Sequence, residues 1–174
     1  MLFSVWLKRP RIVWPISVCV LVGLDQLTKA YFANTIPLGG GIQVTEWFNL
    51  VHVLNEGAAF SLLADADGWQ RPFLITVSLL VVIPATVVCL SKHVDALDRW
   101  IGAAIVAGGT GNLIDRVQTG AVVDFLDLHW QRLHWPAFNL ADIYIVLAAI
   151  TWLVLSLKPA TRRTATDPEP GSKR

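Results

Sequence analysis

Two acidic residues in apolar surroundings are the clearest chemical signal in this sequence. Asp124 lies in the apolar run 122–128, and Asp142 lies near the start of the apolar run 139–157. Two carboxylates that come close together divide into one ionised and one protonated group, because both cannot easily be charged at once. The ionised group can activate water as a general base, and the protonated group can act as a general acid. No serine or cysteine has an obvious base beside it, so a carboxylate pair is the economical catalytic chemistry.

Further ionisable and amide residues lie in or beside apolar runs, where they are costly and therefore candidates for function. Asp25 and Lys29 are spaced i, i+4, so they share a helix face and can pair, although a purely structural ion pair fits that spacing equally well. Asn112, Asp115 and Arg116 line one side of a helix, for which a capped helix end with a snorkelling arginine is the alternative. The candidates that map to one side of the predicted bilayer are Asp25, Lys29, Asn55, Asn112, Arg116, Asp124, Asn139 and Asp142.

The composition indicates an integral membrane protein. Of the 174 residues, 54% are hydrophobic and only 16% are charged, and the mean hydropathy is +0.53. Soluble domains carry about 25% charged residues, so this chain could not cover an ordinary polar surface. The formal net charge of +1 gives no reason to expect nucleic acid as a partner.

Four apolar runs are predicted to cross the bilayer, which takes about 20 helical residues. They cover residues 12–32, 72–90, 100–115 and 139–157, so we expect one membrane domain over residues 1–158. Asn139 begins the fourth run and is equally well explained as its helix cap. The first run is interpreted as a retained helix rather than a cleaved signal peptide, because it is long, contains Asp25 and Lys29, and is followed by no small-x-small site.

Lysine and arginine placement predicts the orientation of these helices. Basic residues concentrate in the N-terminal tail, in the loop between the second and third runs, and in the C-terminal tail. By the positive-inside rule both termini are expected in the cytoplasm, with residues 33–71 and 114–139 on the outer side. The tail 159–174 has no apolar periodicity and is expected to be disordered.

The two outer segments are predicted to form a small platform beside the helices. Residues 42–45 and 48–54 alternate in the manner of short strands, and residues 122–128 are expected to be extended. The short apolar stretch 58–64 is expected to form an amphipathic helix on the membrane surface.

Three other functional classes are alternatives to a catalytic carboxylate pair. A carrier could use Asp25, Lys29 and Asp142 as a proton relay, but it predicts ionisable residues throughout the membrane depth, and the inner halves of the runs nearly lack them. A non-catalytic assembly factor could use the same residues to hold helices together. A metalloprotease could recruit His52, His129 and His134 together with the acids, but none of them has a zinc spacing such as H-E-x-x-H.

Five blocks of sequence, in order, resemble the signature blocks of bacterial lipoprotein signal peptidase (signal peptidase II). The resemblance covers nearly the whole chain except the C-terminal tail, and no block departs from the family pattern. The blocks are Asp25-Gln26-Leu27-Thr28-Lys29, Asn55-Glu56-Gly57-Ala58-Ala59-Phe60-Ser61, Gly111-Asn112-Leu113-Ile114-Asp115-Arg116, Val122-Val123-Asp124-Phe125 and Phe138-Asn139-Leu140-Ala141-Asp142.

The resemblance implies an intramembrane aspartyl protease of the bacterial inner membrane, active on its periplasmic side. Such an enzyme removes signal peptides from prolipoproteins by cutting before a cysteine that carries a diacylglyceryl group. It implies a four-helix bundle with a small periplasmic β-platform and a surface helix, no metal or other cofactor, and a monomer in membrane lipid. By residue-wise match, Asp124 and Asp142 are the implied catalytic pair. The implied supporting or substrate-binding residues are Asp25, Lys29, Asn55, Gly57, Asn112, Arg116 and Asn139.

Overall fold

The structure is a computed structural model that describes residues 10–57 and 68–157. Within them it contains four long helices and a small antiparallel sheet. The predicted surface helix at 58–64 and the predicted disordered tail at 159–174 lie outside the described residues, and both stay predictions.

Each of the four predicted runs corresponds to a helix. The helices are α1 (Pro10–Thr35), α2 (Gln70–Leu90), α3 (Ala96–Gln118) and α4 (Leu140–Ser156). Helix α3 extends beyond the predicted run 100–115 at both ends. Its extra turns contain charged residues that find partners inside the protein; for example, buried Arg99 donates to the backbone carbonyls of Ser91 and Val94. A search for apolar runs alone underestimates such a helix.

Two of these helices are long and apolar enough to cross a membrane by length and composition. They cover Val13–Thr35, with 23 residues, and Gln70–Leu90, with 21 residues. Helix α4 is apolar but has only 17 residues, and α3 carries buried charged residues near both ends. The mainly helical fold with a small sheet is therefore confirmed, whereas the count of four membrane crossings stays a prediction.

Helix α3 is central because it contacts each of the other three helices. Small residues on α3 allow these close contacts. A Cβ atom built on Gly108 would collide with the backbone oxygen of Ala141 on α4, and one built on Gly111 would collide with the carboxylate of Asp25 on α1. The two glycines therefore bring the first turn of α4 and an acidic residue of α1 against the same stretch of α3.

The sheet has the strand order β1-β2-β3-β4, with β1 at Gly41–Gln43, β2 at Phe48–Asn55, β3 at Val122–Trp130 and β4 at Leu133–His134. The predicted strands at 48–54 and 122–128 are present, and β4 was not predicted. The strand predicted at 42–45 is shorter than expected, because the amides of Val44 and Thr45 both donate to the carbonyl of Phe48 in a turn. The register of β2 against β3 shifts between Leu50 and Val53, which makes a β-bulge. Beyond the bulge Val53 pairs with Asp124, and Asn55 pairs with Val122.

A single backbone bridge attaches the start of α4 to the middle of β3. The amide of Leu126 donates to the carbonyl of Phe138 at 2.9 Å, and the amide of Phe138 donates back to Leu126 at 3.0 Å. Because Asn139 follows Phe138 directly, the bridge brings the first residue before α4 beside Asp124 on β3.

Candidate active site

Asn139 contacts both acidic residues that the sequence singled out. It is fully buried and caps α4: its Oδ1 accepts from the backbone amide of Asp142 at 3.1 Å, and its own backbone amide donates to Asp142 Oδ2 at 3.2 Å. Its Nδ2 donates to Asp124 Oδ1 at 2.6 Å. The sequence left open whether Asn139 is a helix cap or a site residue. It is a cap through its side-chain oxygen, and it contacts Asp124 through its side-chain nitrogen.

Asp124 lies on β3 and is only 2% exposed. Its second oxygen, Oδ2, accepts from Asn55 Nδ2 at 3.0 Å. Burial, followed by the nearby negative charge of Asp142, raises the pKa of Asp124 from 3.8 to about 7, and the hydrogen bonds from Asn55 and Asn139 limit this shift. A carboxyl group with this pKa is largely protonated just below neutral pH.

Asp142 lies in the first turn of α4 and borders a cavity of about 670 Å³. Its Oδ1 accepts from Asn112 Nδ2 at 2.9 Å, in addition to the backbone amide of Asn139 on Oδ2. Both acceptors on this carboxylate are therefore already oriented by donors from two different elements. Hydrogen bonds of this kind favour the ionised form of a carboxylate.

Asn55 is held in one orientation by the chain that follows it. Its Oδ1 accepts from the backbone amide of Gly57 at 3.0 Å, which leaves Nδ2 directed at Asp124. Arg116 secures this turn from α3, because its Nη2 donates to the carbonyl of Gly57 at 3.0 Å. The amide of Asn55 is thus fixed to donate to Asp124 rather than to accept from it.

An ion cluster lies behind Asn112. Lys29 Nζ lies 2.8 Å from Asp25 Oδ2, 2.9 Å from Asp115 Oδ2 and 2.8 Å from Asn112 Oδ1. All four side chains are buried. Because Asn112 accepts from Lys29 through its oxygen, its nitrogen is left to donate to Asp142. The side-chain amide of Asn112 therefore connects the pair of Asp25 and Lys29 to Asp142.

The cavity has a polar end and an apolar body, as is common for pockets that bind largely apolar ligands. The polar end is formed by Asn55, Asn112, Arg116 and Asp142, and the apolar body is lined by side chains that include Val122, Leu128, Phe138, Ile143, Val146 and Leu147. Asp142 therefore lies where the backbone of a bound peptide with apolar side chains could contact it.

All nine residues implied by the sequence belong to this connected set, and two further residues complete it. Asp115 binds Lys29, and Gln26 Nε2 donates to Asp115 Oδ1 at 2.9 Å and to Asp25 Oδ2 at 3.2 Å. Asp115 was recognised in the sequence only as sharing a helix side with Asn112. The signal that could have identified it was the need of buried Lys29 for more than one anionic partner.

The histidines of the metalloprotease alternative lie in other contacts. His52 Nδ1 lies 2.9 Å from the carbonyl of Ile36, and His129 stacks on His134 with ring centroids 5.0 Å apart. His134 Nδ1 lies 2.9 Å from Asp127 Oδ1. These contacts of the three rings are therefore with residues of the sheet and with Ile36, not with Asp124 or Asp142.

Comparison with known proteins gives matches over most of the chain. A family model described as signal peptidase (SPase) II matches residues 17–158. The lipoprotein signal peptidase of Aeromonas hydrophila is 46% identical over 130 residues, which cover 72% of this chain and 77% of the relative. The lipoprotein signal peptidase of Azoarcus sp. (strain BH72) is 42% identical over 169 residues, which cover 93% and 94%.

The fold is similar to two solved structures described as bacterial membrane enzymes. One, determined by the in meso method at 2.3 Å resolution, matches with a TM-score of 0.73 and 28% identity over 92% of this chain and 94% of that one. The other, at 1.9 Å resolution, matches with a TM-score of 0.72 and 27% identity over 85% and 94%.

Proposed function

The chain belongs to the signal peptidase II family, and from that premise we propose that Asp124 and Asp142 are the catalytic dyad of its aspartyl protease activity. The resemblance found in the five sequence blocks is confirmed, and with it the enzyme class: the protein removes signal peptides from prolipoproteins. The assignment of the dyad is supported above all by Asn139, which donates to both carboxylates.

The two carboxylates have different surroundings, which suggests different roles. Both accept a hydrogen bond on each oxygen, but only Asp142 borders the cavity, where water and substrate can reach it, so we assign it as the general base. Asp124 is almost fully buried and its pKa is raised to about 7, so we assign it as the protonated general acid. Titration of such a coupled pair belongs to the pair as a whole, and the assignment describes its resting state.

The proposed reaction is a general acid–base hydrolysis. Asp142 takes a proton from a water molecule as the water oxygen bonds to the scissile carbonyl carbon, and Asp124 gives its proton to the carbonyl oxygen. The tetrahedral intermediate then collapses: the C–N bond breaks, the leaving nitrogen takes the proton held by Asp142, and Asp124 recovers a proton from the intermediate's hydroxyl group. Both carboxyl groups thereby return to their starting states.

The cavity suggests how the substrate lies. Its apolar body suits the signal peptide, and its polar end suits the peptide backbone at the cleavage site. We propose that cleavage occurs immediately before a diacylglyceryl-modified cysteine, whose acyl chains remain in the surrounding lipid. The large apolar side chains exposed along α2 and α4, such as Leu80, Ile83, Ile150 and Leu153, would provide the lipid-facing surface.

We further propose the bacterial inner membrane as the location, with four crossings, both termini in the cytoplasm and the dyad toward the periplasmic side. This arrangement is supported by the basic residues in the tails and in the loop between α2 and α3. The proposed topology puts the cap of α4, strand β3 and the C-terminal ends of α1 and α3 on the side opposite to those basic segments. We also propose that the protein acts as a monomer, because one chain contains the proposed dyad and the asparagine residues that bind it.

Mass spectrometry of cleavage products tests the proposed substrate chemistry. Purified protein in lipid is incubated with a diacylglyceryl-modified prolipoprotein, with the same prolipoprotein lacking the lipid, and with each in the presence of a metal chelator. We expect one cut before the lipidated cysteine, no cut without the lipid and no effect of the chelator. Equal cleavage of the unlipidated substrate would contradict the proposed specificity, and loss of cleavage with chelator would contradict metal-free chemistry.

A further inference from the structure

Lys29 is the only described cation that joins the two acidic residues Asp25 and Asp115. It is 2% exposed, and its three donor hydrogens are matched by three acceptors, since Asn112 Oδ1 takes the third. Gln26 provides a second connection, because its Nε2 also donates to both carboxylates. The two acids are thus held at a fixed distance by a charged and a neutral donor, both from α1.

Each of these acids also holds the backbone immediately before one member of the dyad. Asp25 Oδ1 accepts from the amide of Ala141 at 2.9 Å, one residue before Asp142. Asp115 Oδ2 accepts from the amide of Val123 at 3.3 Å, one residue before Asp124. The second hydrogen bond is the longer of the two, and it shares its acceptor oxygen with Lys29.

We propose that Asp115 is a positioning residue, and that the triad Asp25–Lys29–Asp115 sets the separation of the dyad by holding the backbone amides of Ala141 and Val123. This inference rests on the proposed dyad, and it adds a residue and a role that the family resemblance did not imply. The triad acts through the backbone, whereas Asn139 and Asn112 act on the carboxylates themselves.

The arrangement is needed because the two members of the dyad belong to different elements. Asp124 lies on β3 and Asp142 lies on α4, and the chain between them includes the β3–β4 turn. The triad joins these two elements through α1 and α3. A Cβ atom on Gly111 would collide with Asp25 Oδ2, so α3 has no side chain at the point where the triad needs space.

Removing charge at Asp115 changes the electrostatic field as well as the geometry. The triad itself contains Asp25 and Lys29 on α1 and Asp115 on α3. The other charged and titratable groups around it are Arg116 on α3, Asp124 on β3, and Asp142 and Tyr144 on α4. A substitution that keeps the shape but removes one negative charge should therefore shift the pH profile of turnover in addition to lowering kcat. A loss of stability alone would change neither the profile nor kcat per folded molecule.

The test compares Asp115→Asn with Asp127→Asn. Both acids are 7% exposed and accept side-chain hydrogen bonds, but Asp127 contacts Asn49 and His134 instead of the triad. For each variant, kcat and KM on a diacylglyceryl-modified prolipoprotein are measured per folded molecule, together with the pH profile of kcat. We expect Asp115→Asn to lower kcat roughly 100-fold with little change in KM, as a displaced catalytic group does, and to shift the profile. Asp127→Asn should retain the wild-type kcat and the wild-type pH profile.

A second variant covers the case in which Asp115→Asn does not fold. Asp115→Glu keeps the charge but moves the carboxylate by one methylene, so it too should lower kcat if position matters. Adding Lys29→Met to Asp115→Asn should cost no more kcat than Lys29→Met alone, because the residues act as a unit. The proposal is overturned if Asp115→Asn and Asp115→Glu keep wild-type kcat, if Asp127→Asn loses as much, or if the effects of Lys29→Met and Asp115→Asn are additive. Retained activity in Asp124→Asn would instead refute the proposed dyad.

Discussion

The side-chain amide of Asn139 donates to Asp124 across a distance of 2.6 Å, while the same residue caps the helix that carries Asp142. The folding signal that begins α4 and the group that orients Asp124 are therefore one residue. Because Asn139 is the N-cap of this helix, its position relative to Asp142 is set by the helix geometry. Asp142 is therefore held more firmly relative to Asp124 than it would be by a residue in a loop.

Replacing Asn139 by Asp should separate its two functions. Aspartate also caps helices well, so the fold should lose little stability from the cap. A third carboxylate beside Asp124 cannot donate a hydrogen bond unless it is itself protonated, so cleavage should fall strongly. Asn139→Ala should lose activity and also about 1 kcal/mol or more of stability from the missing cap.

Cleavage rates and thermal unfolding in lipid or detergent check both Asn139 variants. Asn49→Ala is a matched control, because Asn49 also donates its Nδ2 to a buried carboxylate, that of Asp127, but outside the candidate site. Full activity in Asn139→Asp would contradict the role assigned to the amide.

The pH dependence of stability should reveal the buried carboxyl group of Asp124. Burial raises its pKa from 3.8 to about 7, so the folded state retains a proton that the unfolded state releases. Its contribution to stability is therefore complete below about pH 4 and is lost as the pH rises to about 7. Asp124→Asn removes this dependence, because asparagine does not ionise.

Denaturation measured over this pH range checks the sign. The stability of Asp124→Asn relative to wild type should increase from acid pH to about pH 7 and then level off. A relative stability that is constant, or that decreases with pH, would show that Asp124 does not carry the raised pKa.

Close packing at Gly108 should be required for both stability and activity. A Cβ atom there would collide with the backbone of Ala141, next to Asp142, so Gly108→Ala should push α4 away from α3. Overpacking of this kind costs about 1–3 kcal/mol, and cleavage should fall because Asp142 moves.

Gly23→Ala on α1 provides the control for the change in helix propensity. A Cβ atom on Gly23 meets nothing within 4 Å, so this variant should be as stable as wild type or gain up to about 1 kcal/mol. Thermal unfolding and cleavage rates of the two variants give the comparison. Equal behaviour of Gly108→Ala and Gly23→Ala would mean that the contact between α3 and α4 is not close.

The sequence predicted the helices and most strands because hydrophobic run length and alternation are local properties. It underestimated α3 because charged residues such as Arg99 end an apolar run but not a helix whose side chains find partners. It missed β4, which has only two residues. Both features depend on particular local contacts that hydrophobic periodicity does not show. Arg99 donates to carbonyls five and eight residues before it, and β4 pairs with β3 across a tight turn.

The site could be predicted as a set of residues but not as an arrangement. The family blocks identified Asp124, Asp142 and their supporting residues, whereas the β-bulge that pairs Val53 with Asp124 and the bridge from Leu126 to Phe138 depend on tertiary register. Asp115 was predicted only to share a helix side with Asn112, because its importance comes from Lys29, which is on another helix.

The central claim is tested most directly by the turnover of a diacylglyceryl-modified prolipoprotein by Asp124→Asn and Asp142→Asn. Both substitutions keep the size of the side chain, and folding is checked for each by thermal unfolding. If the two carboxylates are the dyad, each variant should remain folded and lose cleavage to the background rate. Turnover close to that of the wild type in either folded variant would contradict the account.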